Sequence, residues 1–112
     1  MDRRQIDARI WVSDQLDPGD IPAVAAEGFA LLVCNRPDDE HGPGQPSFAS
    51  VAGAARAAGI AAHQIAFGGE GPHPGQAAEL ARLLAAHDGK VLLYCRSGAR
   101  STTLYNLARA LA

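Results

Sequence analysis

Apolar runs alternate with helix-patterned segments along this chain, and glycine and proline mark the boundaries. Residues 8–13 contain Ile10, Trp11 and Val12, which predict a short strand. The breaker Asp17-Pro18-Gly19-Asp20 follows; Asp17 or Asp20 caps a helix running to about Glu27, with Gly28 as its stop. Residues 29–34 form a continuous apolar run of the kind shown by a strand buried on both faces. Residues 35–46, rich in Pro, Gly and Asp, predict a loop. Ser47 opens an alanine-rich helix to about Ala58, closed by Gly59. Residues 60–67 predict a third buried strand and residues 68–75 a second long loop. Residues 76–87 predict a helix with Leu80, Leu83 and Leu84 on one face and Glu79 and Arg82 opposite. Asp88-Gly89 turns the chain into an apolar strand that begins at Lys90 and ends in Cys95. A last helix starts at about Ala99, with Leu104, Leu107 and Leu111 at helical spacing. Four alternations of strand and helix with short turns predict an α/β fold: a mainly parallel sheet of four or five strands, covered by helices on both faces. Ligands in such sheets sit at the carboxyl ends of the strands, and Cys34-Asn35-Arg36, the 68–75 loop and Cys95 to Ser101 all fall there.

The segment Lys90-Val91-Leu92-Leu93-Tyr94-Cys95-Arg96-Ser97-Gly98-Ala99-Arg100-Ser101 concentrates the chemistry. A tight glycine-containing loop between a strand and a helix turns successive N–H groups toward one point and adds the positive end of a helix dipole. A thiol at that point loses its proton readily. Arg100 supplies a planar fork of donors suited to an oxyanion. A cysteine ending a buried strand is often a small core residue, and Ser-Gly often marks only a turn. Neither explains two arginines around that turn. Cys95 is therefore the candidate nucleophile, with Arg96, Ser97, Gly98, Ala99 and Arg100 as its anion cradle.

The 112 residues suit one domain with a real core, built mostly from Leu, Val, Ile and Ala because aromatics are scarce. A net charge of −2 leaves no footprint for nucleic acid or an anionic membrane. No apolar stretch reaches the roughly 18–20 residues of a membrane span. Met1-Asp2-Arg3-Arg4-Gln5 has no apolar segment behind it, so no secretory signal is expected. Two cysteines make no disulfide framework, and a reducing cytoplasm is the expected location. His41, His63, His73 and His87 lack metal-ligand spacing, so neither a metal nor another cofactor is expected.

On the early strand ending near Ser13, the stretch Asn35-Arg36-Pro37-Asp38 with Glu40 and Pro46 behind it, the Gly59 helix end and the Cys95–Ser101 motif, nearly the whole chain resembles one family. That family is the bacterial phosphatase-like domain of beta-lactamase hydrolase-like proteins, which is also described as a sulfur transferase. The resemblance implies a compact form of the dual-specificity phosphatase fold. It also implies a metallo-beta-lactamase-like hydrolase as a fusion or working partner. Phosphatases of this kind place five residues between nucleophile and arginine; here four intervene, as in the six-residue loop of rhodaneses. They also use an aspartate acid on the loop after the preceding strand, whereas residues 68–75 hold none, leaving Glu70 and His73 as the replacements. Sulfur transfer from thiosulfate expels sulfite, which needs no strong acid. The expectation is thus a sulfurtransferase passing a sulfane sulfur through a Cys95 persulfide, on a small anionic or persulfide substrate. The alternatives are a phosphatase acting through a phosphocysteine, and a weakly catalytic anion- or persulfide-sensing module.

The remaining candidates carry two readings each. Cys34 resolves a Cys95 persulfide or is a buried structural thiol. Arg36 lines the pocket or pairs with Asp38, Asp39 or Glu40 in its own loop. Ser101 donates to the Cys95 sulfur or caps the helix, and these roles are compatible. Trp11 reads as core rather than a ligand platform.

Overall fold

The computed structural model describes residues 1–111. Five strands, β1 (Arg3–Asp7), β2 (Ile10–Ser13), β3 (Phe29–Cys34), β4 (Ala61–Gln64) and β5 (Lys90–Tyr94), form one sheet in the order β1-β2-β5-β3-β4. The pairs β2–β5, β5–β3 and β3–β4 are parallel; β1 alone runs antiparallel, against β2. Helices α1 (Ile21–Ala26), α2 (Phe48–Ala57), α3 (Pro74–Ala86) and α4 (Ala99–Ala110) connect and follow the parallel strands. The α/β class and the mainly parallel sheet agree with the expectation, and β5, the strand that delivers Cys95, is the central one.

The core explains the order. Leu31, Val33, Val91 and Leu93 pack beneath α3 and α4 with Leu80, Leu104, Tyr105 and Ala108. Leu32, Leu92 and Tyr94 face the other way, against Val24 of α1 and Val51, Ala52 and Ala55 of α2. Strand alternation thus feeds two apolar layers, one per sheet face, as continuous apolar runs in a doubly covered sheet require. Trp11 packs partly buried on the α1/α2 side, edge-to-face with Phe29, under the Lys90 ammonium.

Several boundaries differ from the sequence expectation. Strand β1 was not anticipated because Arg3-Arg4-Gln5-Ile6-Asp7 has no apolar run; it is an exposed edge strand, where charge is favoured since it blocks further pairing. Residues 60–67 give only the four-residue strand β4, which lies at the opposite edge with His63 exposed, while Ile65 and Phe67 reach the core from beyond it. Helix α3 starts two residues early because Pro74 occupies its first turn and Gln76 Oε1 accepts from the His73 N–H. Asp17 caps a 3-10 turn, Pro18–Asp20, which leads into α1. Leu107 and Leu111 are exposed, at 46% and 59%, because the buried stripe of α4 runs through Ser101, Leu104, Tyr105 and Ala108 instead.

Candidate active site

The carboxyl ends of β2, β3 and β5 converge on one loop. The Cys95 N–H donates to Ser13 O at 3.3 Å and the Asn35 N–H to Tyr94 O at 2.8 Å, so both neighbouring strands pin the point where β5 ends. The chain then turns through Gly98, whose φ of 94° is open to glycine and strained for other residues. That turn brings the Gly98 N–H to 3.0 Å from Cys95 Sγ and starts α4 at Ala99. Cys95 lies at the floor of this loop, 1% exposed. Burial pushes its thiol up, but the N–H groups of Ser101, Ser97 and Gly98 and the Ser101 hydroxyl outweigh that, and the net shift is downward. The Cys95 sulfur in turn helps to raise the Arg100 pKa, so loop amides and guanidinium both face the thiolate.

Arg100 is turned toward a carboxylate. Its Nη1 and Nη2 bond Glu40 Oε2 and Oε1 at 2.7 and 2.8 Å, and Nη1 also donates to Phe67 O at 3.0 Å. The same carboxylate accepts from Arg36 Nε at 2.9 Å, and Arg36 Nη1 donates to Gln15 Oε1 at 3.0 Å. Arg36 therefore pairs within its own loop, buried to 5% exposure, and joins that loop to the segment after β2. Hydrogen bonds from Arg100, followed by Arg36, overcome the partial burial of Glu40 and hold its carboxyl at about 2. The Glu40 bridge raises the Arg100 pKa in turn.

A second link runs through Asn35. Its Nδ2 donates to Ile65 O at 2.9 Å, which fixes its Oδ1 as an acceptor, and Ser101 Oγ donates to that oxygen at 2.8 Å. Ser101 has one proton, which Asn35 Oδ1 accepts at 2.8 Å, while its N–H and hydroxyl both help to lower the Cys95 thiol pKa. Asn35 and Ser101 are both 0% exposed.

Arg96, Ser97 and Ala99 form the exposed lip of the loop. Glu70 is exposed and accepts from the Gly68 N–H; its own and the Gly68 N–H groups keep its carboxyl below the usual range, with Arg100 adding to this. His73 precedes α3 and lines a groove of about 290 Å³ with Pro72, Pro74, Ala77, Leu107 and Leu111, away from Cys95. Cys34 sits on the α1/α2 face beside Tyr94, its Sγ 3.4 Å from Arg36 O, and burial pushes its thiol up. Cys34 and Cys95 are free thiols. Among the described residues no three His, Cys, Asp or Glu side chains form a metal-binding group, and no helix is long and apolar enough to cross a membrane.

Sequence reasoning did not assign Glu40, Asn35 or Gln15 to the site. Asn35 carried a signal, since a polar side chain directly after a fully buried strand needs a partner. Glu40 was named as a partner for Arg36, four residues away, but its bridge to Arg100 carried no signal, nor did Gln15, because each of those partners lies far along the chain.

Residues 2–112 match the family model of the beta-lactamase hydrolase-like protein, phosphatase-like domain. The beta-lactamase hydrolase-like protein of Agrobacterium fabrum is 33% identical over 96% of this chain and 25% of its own length. The chain thus spans about a quarter of the curated relatives it matches. A candidate phosphatase from Neisseria meningitidis, solved by crystallography, superposes with a TM-score of 0.77 at 30% identity, covering 93% of this chain and 73% of that one. Another, from Shewanella putrefaciens, gives a TM-score of 0.80 at 16% identity over 96% of this chain and 66% of that one, a likeness of fold alone. With its cysteine loop on the central strand of such a fold, the chain belongs to the family of beta-lactamase hydrolase-like protein, phosphatase-like domains.

Proposed function

We propose that this chain is a small cysteine-dependent enzyme of the phosphatase type, acting through a phosphocysteine at Cys95. The observation that carries this reading is the Cys95 sulfur at the end of β5, 3.0 Å from the Gly98 N–H at the start of α4, with its thiol pKa lowered by the surrounding loop amides. Family and fold support it. The thiolate attacks phosphorus, the bond from phosphorus to the leaving oxygen breaks, and the leaving group departs with that electron pair. Water then cleaves the sulfur–phosphorus bond and releases phosphate. The same amides, with Arg100, balance the charge on the equatorial oxygens.

The absence of an aspartate from residues 68–75 narrows the substrate. Glu40 and Glu70 both have depressed carboxyl pKa values and are ionised at neutral pH, so neither holds a proton for a leaving alkoxide. The substrates that fit are those whose leaving group is already a weak base, such as aryl or acyl phosphates.

Sulfur transfer is the second reading, favoured by the four-residue spacing from Cys95 to Arg100 and by the same lack of an acid. In it Cys95 attacks the outer sulfur of thiosulfate, sulfite leaves with the bonding pair, and cyanide or a thiol takes the sulfur from the persulfide. Parallel assays with p-nitrophenyl phosphate and with thiosulfate plus cyanide separate the two. Trapped adducts do so as well: a phosphoryl group adds roughly 80 Da and one sulfur roughly 32 Da. Each adduct is expected to vanish in Cys95→Ala. Sulfur gain with no aryl phosphate turnover overturns the phosphatase reading; phosphocysteine without sulfur gain overturns the second.

A further inference from the structure

The catalytic loop has a second cationic flank, on the side opposite Glu40. Strand β1 places Arg4 opposite Val12, and the Arg4 Nη2 lies 3.1 Å from where a Cβ on Gly98 would stand. Gly98 is the residue whose N–H reaches the Cys95 sulfur at 3.0 Å. Arg4 is therefore packed against the cradle itself. On the same side the Arg96 carbonyl accepts from the Gln15 N–H, which fixes the first residue of the loop beside the end of β2.

Arg4 and Arg96 are both exposed, and among the described residues neither side chain has a hydrogen-bond acceptor. Among the described residues Arg3, Arg36, Arg100 and Arg109 pair with carboxylates, and Arg9 and Arg56 donate to backbone carbonyls. Arg4, Arg82 and Arg96 do neither, and two of these three border the Cys95 loop. The Asp14 carboxylate, directly after β2, accepts from the Ser13 hydroxyl and the Asp2 N–H. Unpaired guanidinium groups beside an anion cradle raise its positive potential and leave planar donor forks directed to an acidic ligand.

We propose that Arg4, assisted by Arg96, forms a second anion subsite, and that the substrate of Cys95 carries a further phosphate, sulfonate or carboxylate next to the group transferred. This deepens the reading of Cys95 as an anion-cradled nucleophile and rests on it. It also gives β1 a role: an antiparallel edge strand with no apolar run carries a cation to the loop.

Calorimetric titration of Cys95→Ser, which keeps the cradle but cannot react, tests the proposal with inorganic phosphate and pyrophosphate as probes. Pyrophosphate is expected to bind at least about ten-fold more tightly than phosphate, the worth of one charge-assisted pair. Adding Arg4→Gln is expected to erase that advantage and leave phosphate binding within about two-fold, whereas adding Arg82→Gln leaves both unchanged. Equal affinity for the two probes, or an advantage that survives Arg4→Gln, overturns the subsite and leaves Arg4 as an edge-strand charge. An equal loss in Arg82→Gln also overturns it, since the effect is then one of net charge. Failure of phosphate itself to bind Cys95→Ser is a separate result: the cradle fails, and the subsite falls with it.

Discussion

Replacing Glu40 by Gln removes one negative charge from a point where two arginines meet. The carboxyl is lowered from 4.5 to about 2. At about 1.4 kcal/mol per unit, a shift of that size corresponds to roughly 3 kcal/mol in a fully desolvated site. A quarter of the Glu40 side chain still faces water, so screening reduces the contribution to about 1–2 kcal/mol. The sign follows from linkage. A carboxyl depressed by folding stabilises the native state fully above its unfolded value of 4.5, and that stability is lost as pH falls through about 2. Urea unfolding of wild type and Glu40→Gln is therefore expected to differ by about 1–2 kcal/mol at pH 7 and to converge as pH falls through about 2, where wild type itself becomes protonated. Activity is expected to fall by about ten-fold or more at neutral pH, because Arg100 loses the bidentate partner that aims it. A stability gap of equal size at both pH values refutes the argument, since the amide would then be failing through packing rather than charge.

Cys95 is expected to titrate below the free thiol value of about 8.5, followed by thiolate absorbance with Cys95→Ser as the blank. A value at or above that figure means the loop amides do not stabilise the anion. Because folding lowers this pKa, wild type is expected to gain stability over Cys95→Ser as pH rises through the folded pKa toward 9, and a flat difference counts against it. Gly98→Ala puts a side chain at φ 94° and within 3.5 Å of Val12 Cγ2. It is expected to cost about 1–2 kcal/mol, with slower alkylation of Cys95 as its N–H shifts from the sulfur; unchanged melting and alkylation refute this. Leu104→Ala, at 0% exposure, is expected to cost about 2–5 kcal/mol. Leu107→Ala, at 46%, is expected to cost under about 0.5 kcal/mol. Equal losses in denaturant melts would show that the buried stripe of α4 is misplaced.

The elements legible in the sequence are those whose physics is local. Residues 29–34 and 90–95 are continuous apolar runs, and such runs stay strands because a doubly covered sheet buries both faces of them. Gly28 and Gly59 sit at helix ends with φ of 85° and 83°, where glycine meets little steric cost. The Cys95 loop was legible for the same reason: strand, turn and helix start lie within seven residues, so the convergence of amides on one sulfur is a property of the local chain. Edges were harder. Strand β1 has no hydrophobic period to announce it, and β4 ends at Gln64 although the apolar pattern continues to Phe67.

What the sequence left dark is what the loops do to one another across the sheet. Arg100 and Glu40 stand 60 positions apart. Ser101 reaches Asn35 across 66 positions, and Arg36 reaches Gln15 across 21. None of these pairs has a period or a cap to betray it; each exists because parallel strands bring their carboxyl ends to the same side of the sheet. That geometry also separates the work. The local loop gathers its amides on the Cys95 sulfur, while other segments decide where the arginines point: Arg100 toward Glu40, Arg36 toward Gln15, Arg4 toward Gly98. The cysteine loop is thus written in one short segment, and the arginines around it come from loops and an edge strand that only the sheet order brings together.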